Sequence, residues 1–192
     1  MLDYEVRLAT REDVSSLVAL QSRVRSLAAA RGELPTVDLK PALEVDATLV
    51  GVLSDADRMI LVAEVDGEIR GKGHLNFYPD KGVLTLSSFE VDSSVEGLRI
   101  AGAFLKEGVR MARERYPQIQ ILRIGRYNRS EDYRRRGLSR RTFFDWMAAQ
   151  SGVVVEEDSW EGEPMRWYNV PFATVDNLMA IYEKLYHRFP IT

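Results

Sequence analysis

Residues 84–101 read Leu84-Thr85-Leu86-Ser87-Ser88-Phe89-Glu90-Val91-Asp92-Ser93-Ser94-Val95-Glu96-Gly97-Leu98-Arg99-Ile100-Ala101, and an amphipathic run from Gly102 to Arg115 follows. The stretch to Val91 predicts a strand, Asp92 to Ala101 a tight glycine turn, and the final run a helix. A strand that enters a helix N-terminus through such a turn presents unpaired backbone N–H groups to an anion.

Upstream, Tyr4 to Ala9 alternates and predicts a strand. Thr10 with Asp13 three residues on forms a capping-type helix start, and Val14, Leu17, Val18, Gln21 and Val24 fall on one side of the helix. Gly32 to Pro41 reads as a loop, and a second helix is expected from about Leu43 to Ser54, burying Val45, Leu49, Val50 and Leu53. Met59 to Val65 is a nearly continuous apolar strand, Asp66-Gly67 is a hairpin turn, and Ile69 to Tyr78 returns. Pro79-Asp80-Lys81-Gly82 turns the chain into a third strand, Val83 to Val91.

Downstream, Pro117 ends the helix that leaves the turn, and Ile119 to Ile124 predicts a strand followed by a loop at Gly125 to Arg129. Ser130 to Ser151 reads as one helix or as two with an interruption at Gly137, and Gly152 as the terminator. Val153-Val154-Val155 opens a hairpin that turns at Glu161-Gly162-Glu163-Pro164 and returns over Met165 to Val170. Thr174 is expected to cap a last helix carrying Val175, Leu178, Met179, Tyr182, Leu185 and Tyr186.

Composition sets outer limits. The chain of 192 residues is long enough for one well-buried core, and its hydrophobic and charged fractions are those of an ordinary globular protein. A net charge of −3 argues against general nucleic-acid or membrane affinity. The absence of cysteine rules out disulfides, thiolate zinc sites and thiol nucleophiles, and the two histidines, His74 and His187, are too far apart in sequence to suggest a metal site. Met1 to Glu5 is charged and lacks an apolar signal-type core, and no apolar run reaches membrane-spanning length, so a cytoplasmic location is expected, or a place inside a particle assembled there.

The order β-α-α-β-β-β-α-β-α-β-β-α, with its meander leading into a glycine turn and helix, resembles the GNAT family, the Gcn5-related N-acetyltransferases. Residues 62–71, Val-Ala-Glu-Val-Asp-Gly-Glu-Ile-Arg-Gly, resemble that family's first long hairpin. The family's pyrophosphate segment runs Val-x-Pro-x-x-Arg-Gly-x-Gly-x-Gly/Ala. Val91, Gly97 and Ala101 match it, whereas Glu96 stands where the family has Arg or Gln and Arg99 where it has Gly. The resemblance implies an α+β fold, a mixed and mostly antiparallel twisted sheet flanked by helices, over residues 1–170. Residues 171–192 would then form an extra helix packed on the domain or on a partner.

The resemblance also implies an activity, transfer of an acetyl group from acetyl-CoA to a primary amine of a small molecule or a protein. Val91, Gly97, Leu98, Arg99, Ile100 and Ala101 are the implied cofactor-binding residues. Glu96 places a carboxylate where phosphates would arrive, and Arg99 offers a compensating ligand. Glu90 is the implied general base, and Tyr133 is a candidate acid, because the position aligned with the family's usual tyrosine is Ala148. A solvated strand carboxylate and a packing tyrosine are the plainer readings of the same two residues. Ser87 and Ser88 are candidates to orient a water or the amine, and His74 reads as structural. The arginine-rich stretch from Arg123 to Arg141 suits a phosphate or an acidic protein surface, and its sparse aromatics argue against nucleic acid. Acidic residues in the predicted 27–41 loop and 155–167 hairpin suit a cationic acceptor. The departures at Glu96, Arg99 and Ala148 keep open a second reading, a GNAT-fold protein without catalysis that serves as a binding or structural subunit, for example virion-associated in a phage. In either case the last helix offers a surface for a second copy or a larger assembly.

Overall fold

The computed structural model describes residues 4–30, 49–95, 100–127, 148–149, 152–160, 163–177 and 180. Among them are seven strands: β1 (Tyr4–Leu8), β2 (Arg58–Val65), β3 (Glu68–Tyr78), β4 (Val83–Val91), β5 (Ile121–Tyr127), β6 (Val154–Trp160) and β7 (Glu163–Pro171). The helices are α1 (Val14–Ala30), α2 (residues 49–53), α3 (Ile100–Arg115) and α4 (residues 172–177). The strands hydrogen-bond in the order β1-β2-β3-β4-β5-β7-β6. β1–β2, β2–β3, β5–β7 and β6–β7 are antiparallel and β4–β5 is parallel, so the class is mixed α+β with a mostly antiparallel sheet.

The chain divides into two compact units, residues 1–77 with 87–108 and residues 78–86 with 109–192. In the first, β1, β2 and β3 form a ladder that lines up Val6 with Ala63 and Val62 with Lys72. Asp66 and Gly67 both take positive φ, 52° and 78°, which the two-residue hairpin turn requires. Leu17 and Leu20 of α1 and Leu49 and Val52 of α2 pack with Ile60, Val62 and Ile69 into one apolar cluster. Val50, expected inside, is 41% exposed, and Val52 is buried in its place. In α2 the inward stripe is therefore 49, 52 and 53, a helical spacing that leaves position 50 on the outer side.

The opposite face of β3 receives α3. A Cβ at Gly71 would lie 3.0 Å from Ile100 Cγ2, and one at Gly73 would lie 3.1 Å from Phe104 and 3.2 Å from Phe89. The two glycines thus let α3 and the stacked Phe89–Phe104 pair, with ring centroids 6.1 Å apart, press onto the strand.

In the second unit, Val83–Leu86 run parallel to Ile121–Ile124, and β5, β7 and β6 continue antiparallel. β5 begins two residues later than the sequence predicts and runs through Gly125, Arg126 and Tyr127. These three residues read as loop in the sequence and instead pair with Trp167, Arg166 and Met165 of β7. Glycine suits this pairing, because Met165 and Trp167 occupy the space a side chain at position 125 would need. Arg123 stacks 4.5 Å over Trp167 and pairs with Glu156 on β6. The return strand β7 starts at Glu163 rather than Met165 and pairs Glu163 with Trp160. α4 begins at 172, two residues before its expected cap; the Thr174 hydroxyl donates to the Pro171 carbonyl from inside the first turn. Gly152, with φ 82°, takes the left-handed conformation expected of a helix terminator. The expected residues Val45, Leu178, Met179, Tyr182, Leu185 and Tyr186 lie outside the described residues.

The start of α1 is tied to β1 and β2 by one arginine. Arg7 donates to both oxygens of Asp13, at 2.8 and 2.9 Å, and to Glu64 at 3.0 Å, while Asp13 also accepts the Thr10 N–H at 2.7 Å. The Arg7 hydrogen bonds hold the Asp13 carboxyl down to about 2 from 3.8. A depressed folded pKa gives stability that is complete above the unfolded value and is lost as pH falls through the folded one. Chemical unfolding of Asp13→Asn between pH 7 and pH 2 should therefore show a loss on the order of 2 kcal/mol at pH 7 that shrinks toward zero below pH 4. A loss that stays constant with pH would show that the carboxylate charge is not what holds the helix start.

Candidate active site

β4 ends at Val91, as the sequence places it; a single 3₁₀ turn spans Ser93–Val95, and α3 starts at Ile100, two residues before the expected Gly102. Asp92 sits between strand and turn and is 6% exposed. Its carboxylate accepts the Ser94 N–H at 3.0 Å and the Ser94 hydroxyl at 2.8 Å, and its carbonyl accepts the Val95 N–H. Its other oxygen faces Arg70 at 3.2 Å and Arg23 of α1 at 3.3 Å. Burial alone would raise its pKa; the hydrogen bonds from Ser94 and Arg70 outweigh that and hold it below the usual carboxylate range. The Asp92 N–H in turn donates to the Arg70 carbonyl at 2.8 Å. The β2–β3 register passes from Ala63↔Gly71 to Glu64↔Ile69 and skips Arg70, which leaves that residue free of the β2 ladder to hold the turn.

Glu90 lies two residues before Asp92. Its Oε2 is buried, 3.6 Å from Lys72 Nζ on β3. Lys72 is 2% exposed, and its ammonium donates to Gln21 Oε1 of α1 at 3.0 Å. His74, two residues along β3, shares that face. Its Nε2 is buried without a hydrogen-bond partner among the described residues. Burial, with Lys72 and Arg58 adding their positive charge, depresses its pKa to about 4. Asn76 donates to Ser87 Oγ at 3.3 Å, so one of the two serines singled out from the sequence is joined to this polar strip.

Of the expected cofactor residues, Val91 is half-buried at the strand end, and Ile100 is 2% exposed with its side chain directed at Gly71. The Ile100 side chain therefore belongs to the core. Ala101 is the second residue of α3. Gly97, Leu98, Arg99 and Tyr133 lie outside the described residues, as do Glu96 and the arginines from Arg129 to Arg141. Ala148 is helical. Among the described residues no group of three His, Asp or Glu side chains could hold a metal ion. Sequence reasoning misses Gln21 as a polar partner, Lys72 and Asp92. The available signal is Lys72 itself, one of only five lysines in an arginine-rich chain, standing between Gly71 and Gly73 in the middle of a predicted strand.

No family model matches the sequence, and no curated protein matches it. Solved structures do match the backbone. An acetyltransferase from Thermus thermophilus superposes with a TM-score of 0.63 at 19% identity, over 88% of this chain and 97% of that one. An acetyltransferase of the GNAT family from Streptococcus pneumoniae gives 0.59 at 16% identity, over 88% and 99%. The PaiA N-acetyltransferase from Thermoplasma acidophilum, solved in complex with coenzyme A, gives 0.61 at 16% identity, over 86% and 98%. The fold is the GNAT acetyltransferase fold. The covered share means the likeness takes in nearly the whole GNAT chain and not one shared hairpin.

The polar strip can be tested through its histidine. A histidine whose folded pKa lies below its unfolded value of 6.5 costs stability as pH falls from 6.5 toward 4, because the unfolded chain takes up the proton first. Nitrogen-15 spectra of the imidazoles should show His74 neutral down to about pH 5, and the thermal stability of His74→Gln should fall less steeply than the parent's between pH 6.5 and 4. Titration of His74 near 6.5 would mean that its ring is solvated.

Proposed function

We propose that this chain is an N-acyltransferase that moves an acetyl group from acetyl-CoA to a primary amine. The observation that carries the reading is the Asp92-anchored turn between β4 and α3, on a fold whose solved neighbours are acetyltransferases. In this reading the backbone of Val91 and of the 97–101 turn receives the pyrophosphate, aided by the α3 N-terminus. Glu90 takes a proton from the attacking amine as its nitrogen bonds to the thioester carbon. The carbon–sulfur bond then breaks, and the leaving thiolate takes up a proton, for which Tyr133 is the candidate donor. Backbone N–H groups near Val91 would stabilise the charge on the carbonyl oxygen. Residues 1–170 are taken as the acyltransferase domain and 171–192 as its extension. No helix among the described residues is long and apolar enough to cross a membrane.

Glu96 and Arg99 within the turn favour a second reading, a GNAT-fold binding subunit that no longer holds the cofactor. Calorimetric titration with acetyl-CoA separates the two. The acyltransferase reading expects micromolar affinity and acetylation of at least one amine in a panel of polyamines, amino acids and protein N-termini. It also expects Glu90→Gln to turn over roughly a hundredfold more slowly than the parent, with little change in CoA affinity. No heat at millimolar acetyl-CoA would favour the binding subunit.

A further inference from the structure

Lys72 is the least expected residue in the first unit. It points from β3 toward α1 in a layer that contains Leu17, Leu20, Ile60 and Val62, each at most 1% exposed, and it lies opposite Val62 in the ladder. A buried ammonium is costly unless it is paired, and an apolar side chain of similar volume packs such a site at least as well. Packing therefore gives no reason for a lysine here. Its surroundings do: Gln21 Oε1 of α1 at 3.0 Å fixes the ammonium from one side, and Glu90 Oε2 faces it at 3.6 Å from the other. His74, the next residue of β3 on that face, feels the Lys72 charge and that of Arg58 on β2, and with its depressed pKa it adds no positive charge of its own near neutral pH. Arg23 of α1 and Arg70 of β3 are turned to Asp92 instead.

We propose that Lys72 is a positioning residue for Glu90: held by Gln21, it keeps the Glu90 carboxylate ionised and fixes its buried oxygen in one place. An ammonium at this distance favours the charged carboxylate; burial alone would favour the neutral acid, but it also strengthens the attraction between the two charges that opposes this. Glu90 thereby stays ready to take an amine proton down to mildly acidic pH. The catalytic consequence rests on the acyl-transfer reading above, while the electrostatic pairing does not.

Carbon-13 spectra of the glutamate carboxyl groups, with Glu90 assigned by its loss in Glu90→Gln, test the pairing without any assay of activity. In the parent, the Glu90 signal should stay flat between about pH 5 and 8. In Lys72→Met it should titrate at least about one pH unit higher than in the parent, and the acidic limb of kcat/KM should move up with it, while Lys72→Arg should keep the parent's titration. If Glu90 titrates alike in the parent and Lys72→Met, the proposal falls. If Lys72→Met does not fold, the double variant Lys72→Met/Glu90→Gln decides: recovery of the native circular dichroism supports the pairing, and failure of the double variant overturns it by showing that Lys72 serves packing alone. A moved carboxyl titration with no acyl transfer by the parent removes the acyltransferase reading and leaves the pair intact. An unmoved titration with acyl transfer does the reverse.

Discussion

The approach of α3 to β3 is the constraint on which the first unit depends. Helix and sheet can come close only where side chains do not hold them apart, and β3 provides that place with Gly71 and Gly73, two positions apart on one face. Ile100 and Phe104 enter the gap from α3, and Phe89 closes it from β4. Overfilling so tight a contact typically costs ~1–3 kcal/mol, because the neighbours are a packed helix and a stacked aromatic pair with little room to give. This contact sets where α3 begins, and so where the turn after β4 must end.

The residues that alternate with those glycines face the other way, and the same strand that is bare toward α3 is polar toward α1. Lys72 and His74 occupy that face, and Glu90 joins them from β4. Period-two alternation makes the two requirements compatible: the close helix contact takes the odd positions, and the even positions are left for charge. The skip in the ladder at Arg70 then redirects the strand end, so that a single residue supplies both a carbonyl and a guanidinium to Asp92. Sheet geometry, a helix contact and the anchored turn are in this sense consequences of eleven residues of β3.

The local elements are legible in the sequence because each has its own signal. Asp66-Gly67 marks the hairpin, Pro117 the end of α3, and the Thr10–Asp13 spacing the start of α1. Legibility fails where a distant partner decides the outcome. Gly125 reads as loop until Trp167 and Met165 are placed against it, and Val50 and Val52 are equivalent until α2 has a neighbour. In the candidate site, Glu90 can be named from its position before the turn, but its partner Lys72 lies on another strand, and Gln21, which holds Lys72, is 51 residues further from it along the chain. Asp92 escapes a reading of the sequence for a similar reason, since a carboxylate beside an anion-binding turn looks unfavourable until its arginines are seen.

Those arginines bear on how the turn can bind an anion at all. Asp92 brings one negative charge to its base; Arg23 and Arg70 bring two positive ones, and Arg70 is shared with Glu68 at 2.6 Å. The four side chains sum to zero, so the carboxylate at the foot of the turn is neutralised and does not repel a phosphate, but neither does the cluster attract one by net charge. On the acyltransferase reading, what remains for attraction is the positive end of α3, whose first turn contains no acidic residue to offset it. The Ser94 and Val95 N–H groups are not among the donors, because the Asp92 carboxylate and carbonyl already accept them. If the proposed acyl-CoA site is correct, it draws on the fixed dipole of α3 more than on the side chains of the turn, and the departures from the GNAT phosphate segment at Glu96 and Arg99 would then weaken binding without removing its main source.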